Sequence, residues 1–438
     1  MHSRNPYRSP PDFSALAESY PPLKPHVIFG SSGPTLDFQN VESQRRLTEA
    51  LLHRDFGISF SVPDTRLCPP IPNRLNYILW LQDIIDYTRI ILQVPNERPT
   101  LGIDIGTGAS AIYPLLGCAS RTNWRFVGTD IDDTSLQCAQ FNIERNNLQD
   151  RITILKSNPS DPIFSLLDVN SVQYDFSMCN PPFYSSREEV VRSAEAKEVG
   201  PNSACSGADN EMITSGGEVA FVGQMVRESA RHPMRCQWYT SMLGKMSTLS
   251  DVVALLHEQK IENYAITEFV QGQTRRWAIA WTFLDLHLPD SLARLSNPTL
   301  QSIMPTRHTL EQTYSATRGV VAPVLEQVLR AIQGVLTTDI SCDSKRHLVL
   351  IVRAGGNTWS RASRRKKLRG QEGVTEGFHE IQLTCRIQVL TSPQDVTSVV
   401  YDWAQGRDQG MFESFSSHIG RKVGAALSAQ EEKMDLTS

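Results

Sequence analysis

The chain lacks a charge excess, a long apolar run and paired cysteines, and each absence removes a class of protein. Its 43 basic and 47 acidic side chains leave a formal charge of -4, so any nucleic-acid contact must be argued from a local patch. No stretch of about eighteen apolar residues occurs, so no membrane span is expected. The opening MHSRNPYRSPPDFSALAESYPPLKP has no apolar core and does not read as a secretory signal. Eight cysteines, at 68, 118, 138, 179, 205, 236, 342 and 385, stand apart with no C-x-x-C pair. They read as scattered buried thiols in a reducing compartment, and neither a zinc site nor another metal site is expected.

What is present is an ordinary globular composition, 40% hydrophobic over 438 residues, which allows two or three domains. The proline-rich first 35 residues predict an extended arm (1–40), and helical spacing follows at Val41–Phe56 and Asn73–Leu92. Strands and helices then alternate: strands at 101–105, 124–130, 151–157, 174–180, 238–244, 262–270 and 275–285, with helices at 134–147, 216–231 and 249–258 between them. Apolar strands separated by helices predict a mostly parallel sheet covered on both faces. The short link QGQT (271–274) predicts a hairpin and one antiparallel edge, an ending that suits a methyltransferase sheet better than a dehydrogenase sheet. The domain is expected over 41–290, with a linker at 291–305 and a smaller α+β domain over 306–428, built of helices at 321–333, 359–369 and 411–427 and strands at 347–352 and 379–390.

The first motif is GIDIGTGAS (102–110), in which Gly106 and Gly108 turn a strand sharply toward a helix. Bare backbone at such a turn lets a ligand approach the helix N-terminus. A dinucleotide fold would read GTGASA (106–111) as its G-x-G-x-x-A fingerprint; an S-adenosylmethionine site would receive the amino-acid end of that cofactor on the same glycines. Asp130, closing the next strand, suits a pair of ribose hydroxyls in either case, and a tight turn without a ligand is the bland alternative.

The second motif, CNPPFY (179–184), separates these chemistries. Pro181 and Pro182 keep the preceding backbone extended and rigid. The Asn180 side-chain carbonyl and a nearby proline carbonyl then converge as two acceptors without a base. An adenine amino group offers two donors to match, and binding both favours a pyramidal nitrogen that can attack a sulfonium methyl. Phe183 or Tyr184 would stack on an extruded base. In-line displacement of this kind needs positioning above all. A dehydrogenase has no use for this loop.

These residues resemble one family, the methyltransferase-like sixteen group of RNA adenosine methyltransferases, related to the bacterial ribosomal RNA methyltransferase F. The resemblance runs through MHSRNPYRSPPDFSALA, RLNYILWLQD (74–83), GIDIGTGASAIYPLLG (102–117), NNLQDRI (146–152), YDFSMCNPPF (174–183), GGEVAFV (216–222), WYTSMLGK (238–245) and TEFVQGQTRRWAIAW (267–281), nearly all of residues 1–285. It implies a seven-stranded Rossmann-like class I S-adenosylmethionine-dependent domain that methylates the adenine amino group in structured RNA. U6 small nuclear RNA is the implied substrate, with hairpins in the messenger for S-adenosylmethionine synthetase as further ones, and a nuclear location with a cytoplasmic share is expected. Implied cofactor contacts are Arg74, Asp104, Gly106, Gly108, Ser110, Asp130, Asp161 and Asn180, with Arg74 on the cofactor's carboxylate. Asn180, Pro181, Pro182 and Phe183 form the implied catalytic loop. Asp130 stands where the family commonly has glutamate, and KSNPSD (156–161) departs from the family's gating loop.

Local basic patches decide where RNA would sit. Arg4 and Arg8 on the arm are expected to help close a groove, and Arg275 and Arg276 to reach phosphates. The stretch 185–215 carries Arg187, Arg192 and Lys197 but also Glu188, Glu189, Glu195 and Glu198, which weakens its grip. Between Arg353 and Arg369 stand seven basic residues and no acidic one, so Arg364, Arg365, Lys366 and Lys367 are expected on phosphates; a solvated face or an import signal is the alternative. Within methyltransferases the competing acceptors are the guanine amine of ribosomal RNA and a protein glutamine. The competing non-enzyme is an RNA-binding factor with a vestigial fold.

Overall fold

A computed structural model describes residues 1–31, 33–195, 208–272, 274–340, 348–360, 380–391 and 396–435. It divides into two compact units, one of residues 1–86, 94–284 and 294–305, the other of 87–93, 285–293 and 306–438.

The first unit opens with an arm that is folded, where the proline content predicted an extended segment. Pro6 and Pro21 stand at the first positions of short 3-10 helices (Pro6–Arg8 and Pro21–His26), where a missing N–H costs nothing. Asp12 caps the helix Phe13–Ser19, and strands β1 (Val27–Gly30) and β2 (Gly33–Leu36) pair as a hairpin. The arm docks through Asn5, whose amide donates to the Pro72 carbonyl at 2.9 Å and to Asn76 at 2.8 Å, and through Tyr7, whose hydroxyl donates to Asp55 at 2.7 Å. Two helices follow, Val41–Phe56 and Ile71–Leu92.

Next come β3 (Thr100–Ile105), β4 (Trp124–Asp130), β5 (Ile152–Lys156), β6 (Tyr174–Cys179), β7 (Cys236–Leu243), β8 (Tyr264–Gln271) and β9 (Thr274–Trp281). They form one sheet in the order β5-β4-β3-β6-β7-β9-β8. The first five strands are parallel, while β9 runs antiparallel to both β7 and β8. The expected hairpin at 271–274 is therefore the antiparallel edge, and the whole is the expected class I methyltransferase sheet. Strand order reverses at β3, with β4 on one side and β6 on the other, and a crevice opens at the carboxyl ends of the strands at such a switch point. The run 294–305 is more than a linker: Leu300 and Met304 are buried in the core of this unit with Trp281 and Tyr264.

The second unit is a five-stranded antiparallel sheet of β10 (Thr309–Tyr314), β11 (Val335–Asp339), β12 (Leu348–Ala354), β13 (Leu383–Thr391) and β14 (Thr397–Gln405), in the order β10-β14-β13-β12-β11. Helices Arg318–Arg330 and Gln409–Asp435 supply Val321, Leu325, Phe412 and Phe415 to its core. Sequence periodicity missed β10, β11 and β14. In β14 a buried Asp402 interrupts the apolar run, and its charge is met by Arg386 at 2.8 Å and the Thr309 hydroxyl at 2.8 Å. The expected helix at 359–369 falls mostly outside the described residues. The described cysteines, 68, 118, 138, 179, 236 and 385, are free thiols.

Candidate active site

The glycine turn leaves β3 at its buried end. Gly106 and Gly108 have φ of +68° and +64°, and Ala111, at the N-cap of the helix Ile112–Ser120, has φ of +46°. The left-handed backbone explains the glycines, since a Cβ on Gly106 would meet nothing within 4 Å. That open side is where a ligand approaches. The turn is fixed from below: the Thr107 hydroxyl donates to Asp104 at 2.7 Å, and the Gly108 N–H donates to Asp130 at 2.9 Å. The other Asp130 oxygen accepts the Asp132 N–H at 3.0 Å.

Charge is gathered here at a cost. Asp104 is 1% exposed and its Oδ1 has no hydrogen-bond partner in the protein. Burial pushes its carboxyl up to about 7, Thr107 opposing the rise, Asp130 adding to it and Arg74 lowering it. Burial also raises Asp130, against the pull of backbone N–H groups at 132, 108 and 131. Arg74, buried near the start of helix Ile71–Leu92, donates from Nη1 to the Tyr113 hydroxyl at 3.0 Å and lies 5.6 Å from that ring's centre, while its Nε is buried without a partner. A buried guanidinium N–H and a buried carboxylate oxygen left unmatched by protein are the groups a zwitterionic ligand satisfies. Donors for a carboxylate, acceptors for an ammonium and a ribose, and bare backbone between them fit the amino-acid and ribose parts of S-adenosylmethionine. Ser110 is buried beside the turn. Asp161 is engaged locally, accepting from the Asn158 amide at 2.8 Å. The segment before it starts beside Asp130, whose carbonyl accepts the Ser157 N–H at 2.9 Å.

Asn180-Pro181-Pro182-Phe183 follows β6, the strand next to β3. Asn180 Oδ1 is buried and has no partner in the protein. The end of the loop is stitched down: the Tyr184 N–H donates to the Met212 carbonyl at 3.0 Å, and the Thr214 N–H to the Tyr184 carbonyl at 2.9 Å. Phe183 lies under the Arg276 guanidinium, 5.6 Å from its ring centre. Burial, with the like charge of Arg74, lowers Arg276 from its usual value.

The other expected basic residues divide. Arg4 turns inward and donates to Gln82 and the Leu79 carbonyl, each at 3.1 Å, and to Asp83, so it clamps the arm to the helix Ile71–Leu92. Arg8 and Arg275 are exposed, the latter 3.1 Å from Glu268. Arg364, Arg365, Lys366, Lys367 and Lys197 lie outside the described residues. Tyr113, which holds Arg74, was missed by sequence reasoning, although it stands in the quoted block 102–117. Among the described residues no helix is long and apolar enough to cross a membrane, and no cluster of three His, Cys, Asp or Glu side chains could hold a metal.

A family described as RNA methyltransferase matches residues 1–285. The U6 small nuclear RNA (adenine-(43)-N(6))-methyltransferase of Schizosaccharomyces pombe is 35% identical over 390 residues, covering 89% of this chain and 95% of its own. The crystal structure of the hMettl16 catalytic domain in complex with MAT2A 3'UTR hairpin 1 superposes with a TM-score of 0.58 at 39% identity, over 65% of this chain and 96% of that one. The N-terminal domain of human METTL16 in complex with SAH gives a TM-score of 0.54 at 39% identity, over 65% of this chain and 99% of that one.

Proposed function

The chain belongs to the RNA methyltransferase family that matches its first 285 residues, and from that membership we propose that it transfers a methyl group from S-adenosylmethionine to the adenine amino group of structured RNA. U6 small nuclear RNA is the proposed substrate, because the fission-yeast relative aligned along nearly the whole of both chains carries that name. Hairpin RNA is the proposed shape, because a superposable catalytic domain was solved on one. A nuclear location is proposed with that substrate.

Asn180 Oδ1 carries this reading: a buried acceptor, unmatched by protein, at the end of a strand beside the glycine turn. S-adenosylmethionine, when bound, supplies a methyl on a positively charged sulfur that is open to in-line attack. Arg74 holds the carboxylate end, Tyr113 fixing the guanidinium. Gly106 and Gly108 give the backbone approach, Ser110 lines it, and Asp104 and Asp130 face the ammonium and ribose; Asp161 is proposed as a further cofactor contact on the family resemblance alone. Asn180 Oδ1 and a proline carbonyl accept the two amine N–H groups of the target adenine, leaving its lone pair free to point at the methyl. Pro181 and Pro182 remove the backbone freedom that would blur this aim, and Phe183 offers a ring to the extruded base. Arg8, Arg275, Arg276 and the run Arg364 to Lys367 meet phosphates, with Arg4 holding the arm in place.

The test is Asn180→Ala against a U6 hairpin with labelled cofactor. Transfer should fall by about a hundred- to a thousand-fold, the scale of losing one preorganised polar contact to the reacting centre, while hairpin binding persists. Undiminished transfer would remove Asn180 from the chemistry.

A further inference from the structure

Behind the catalytic loop lies a buried carboxylate that the mechanism does not use. Glu218 opens the helix Gly217–Ser229 and is 2% exposed. Burial raises its carboxyl, and the Gly244 and Lys245 N–H groups oppose the rise. Its Oε2 accepts the Gly244 N–H and its Oε1 the Lys245 N–H at 3.4 Å. It thus caps from outside the helix Met246–Glu258, whose own N-cap residue, Lys245, gives no side-chain bond.

The capped turn is also what the catalytic loop leans on. A Cβ at Gly244 would lie 2.7 Å from Phe183 Cδ1 and 3.1 Å from Cε1, so the ring edge fills the space a side chain would need. Gly217 (φ +66°) also lies against this segment, a Cβ there standing 3.4 Å from the Ser185 nitrogen. Lys245 extends the connection by pairing with Glu189, whose other oxygen accepts both the N–H and the hydroxyl of Ser185 at 2.7 Å. One buried carboxylate therefore fixes the turn that supports Phe183, and the same turn is tied to the residue that ends the loop.

We propose that Glu218 is a positioning residue for methyl transfer: by holding the Gly244–Lys245 turn it sets where the Phe183 ring stands for the target base. The proposal rests on the methyltransferase reading. The test compares Glu218→Gln, which turns an amide donor toward one of the two N–H groups, with Gly244→Ala, whose methyl displaces the ring and also presses on Glu218 Oε2 at 3.2 Å. Glu228→Gln is the control, since Glu228 is buried on the same helix but accepts the Phe164 N–H at 3.0 Å. Glu218→Gln and Gly244→Ala should each lower kcat about ten- to a hundred-fold at unchanged cofactor Kd. Each should also move the fluorine resonance of 4-fluorophenylalanine placed at 183, whereas Glu228→Gln should lower Tm and leave kcat and the resonance alone. A Glu218→Gln protein that loses only Tm, or a Gly244→Ala protein with unchanged kcat and resonance, would overturn the proposal. Should Glu218→Gln not fold, Glu218→Asp, whose shorter side chain loosens the hold on both N–H groups while keeping the charge, takes its place in the same assays. Should the unmodified protein methylate no RNA, the functional reading fails, and the fluorine spectrum still decides whether Glu218 places the ring.

Discussion

In the cofactor half of the site, Thr107 reaches back three residues to Asp104, and Gly108 reaches across one strand to Asp130. In the acceptor half, Phe183 leans on Gly244 and lies under Arg276, while Tyr184 is tied to Met212 and Thr214, all well beyond it in the chain. The first half is mainly a local device: a strand, a turn and the next strand place the glycines and both carboxylates, and only Arg74 comes from further away, on the helix Ile71–Leu92. The second is rigid at its proline core but takes its place from distant elements, so the fold as a whole sets the aim of the base. Changes in the first half should therefore act on cofactor binding, and changes in the second on RNA and on the chemical step.

The largest separable effect is expected at Arg74. Arg74→Gln removes a buried charge whose Nη1 is already fixed by Tyr113, and cofactor affinity should fall about a hundred-fold, the scale of losing a charged hydrogen bond. Hairpin binding measured without cofactor should not change; an equal loss there would break the division into halves. Arg276→Gln should do the reverse. Hairpin affinity should fall about ten-fold at moderate salt, and the slope of log affinity against log salt should become shallower by about one. An unchanged slope would leave Arg276 as a support for Phe183 alone.

The third effect is one of pH. The folded Asp104 carboxyl titrates at about 7, above its usual value near 4. Its contribution to stability is therefore intact below pH ~4 and is lost as pH climbs through 7, because the unfolded chain releases the proton first. The cationic cofactor prefers the carboxylate, so its affinity should rise several-fold between pH 6 and 8. Calorimetric titration of Asp104→Asn should show a flat profile over that range and added stability above pH 7; a profile unchanged from the parent would assign the titration elsewhere. The smallest effect on folding belongs to Gly106→Ala. An added methyl meets no protein atom within 4 Å, so folding stability should drop by only about 1–2 kcal/mol in a denaturant titration, through the left-handed backbone, while cofactor affinity falls because the methyl stands on the side open to the ligand. A much larger loss would mean that the turn is packed more closely than its open side shows.

The same contrast explains what could be read in the sequence. The glycine turn and Asp130 sit on one strand-turn-strand stretch, so composition and spacing reveal them, and the double proline after Asn180 fixes its own backbone. Proline content alone does not separate an extended arm from a folded one, because Pro6 and Pro21 start 3-10 helices. β14 escaped because Asp402 breaks its apolar run, and only the fold brings Arg386 and Thr309 to that charge. Glu218 and Tyr113 were invisible as functional residues for the same reason: each acts through a partner, Gly244 or Arg74, that only the folded chain brings into contact.

If two neutral oxygens at Asn180-Pro181-Pro182 select an exocyclic adenine amine, the identity of the methylated product is where that selection is read. The full chain would be incubated with methyl-labelled S-adenosylmethionine and total RNA, the RNA digested, and the nucleosides resolved by mass spectrometry beside a digest of the protein fraction. Label is expected in N6-methyladenosine alone. Label in a methylguanosine, or in glutamine of the protein fraction, would contradict that selection.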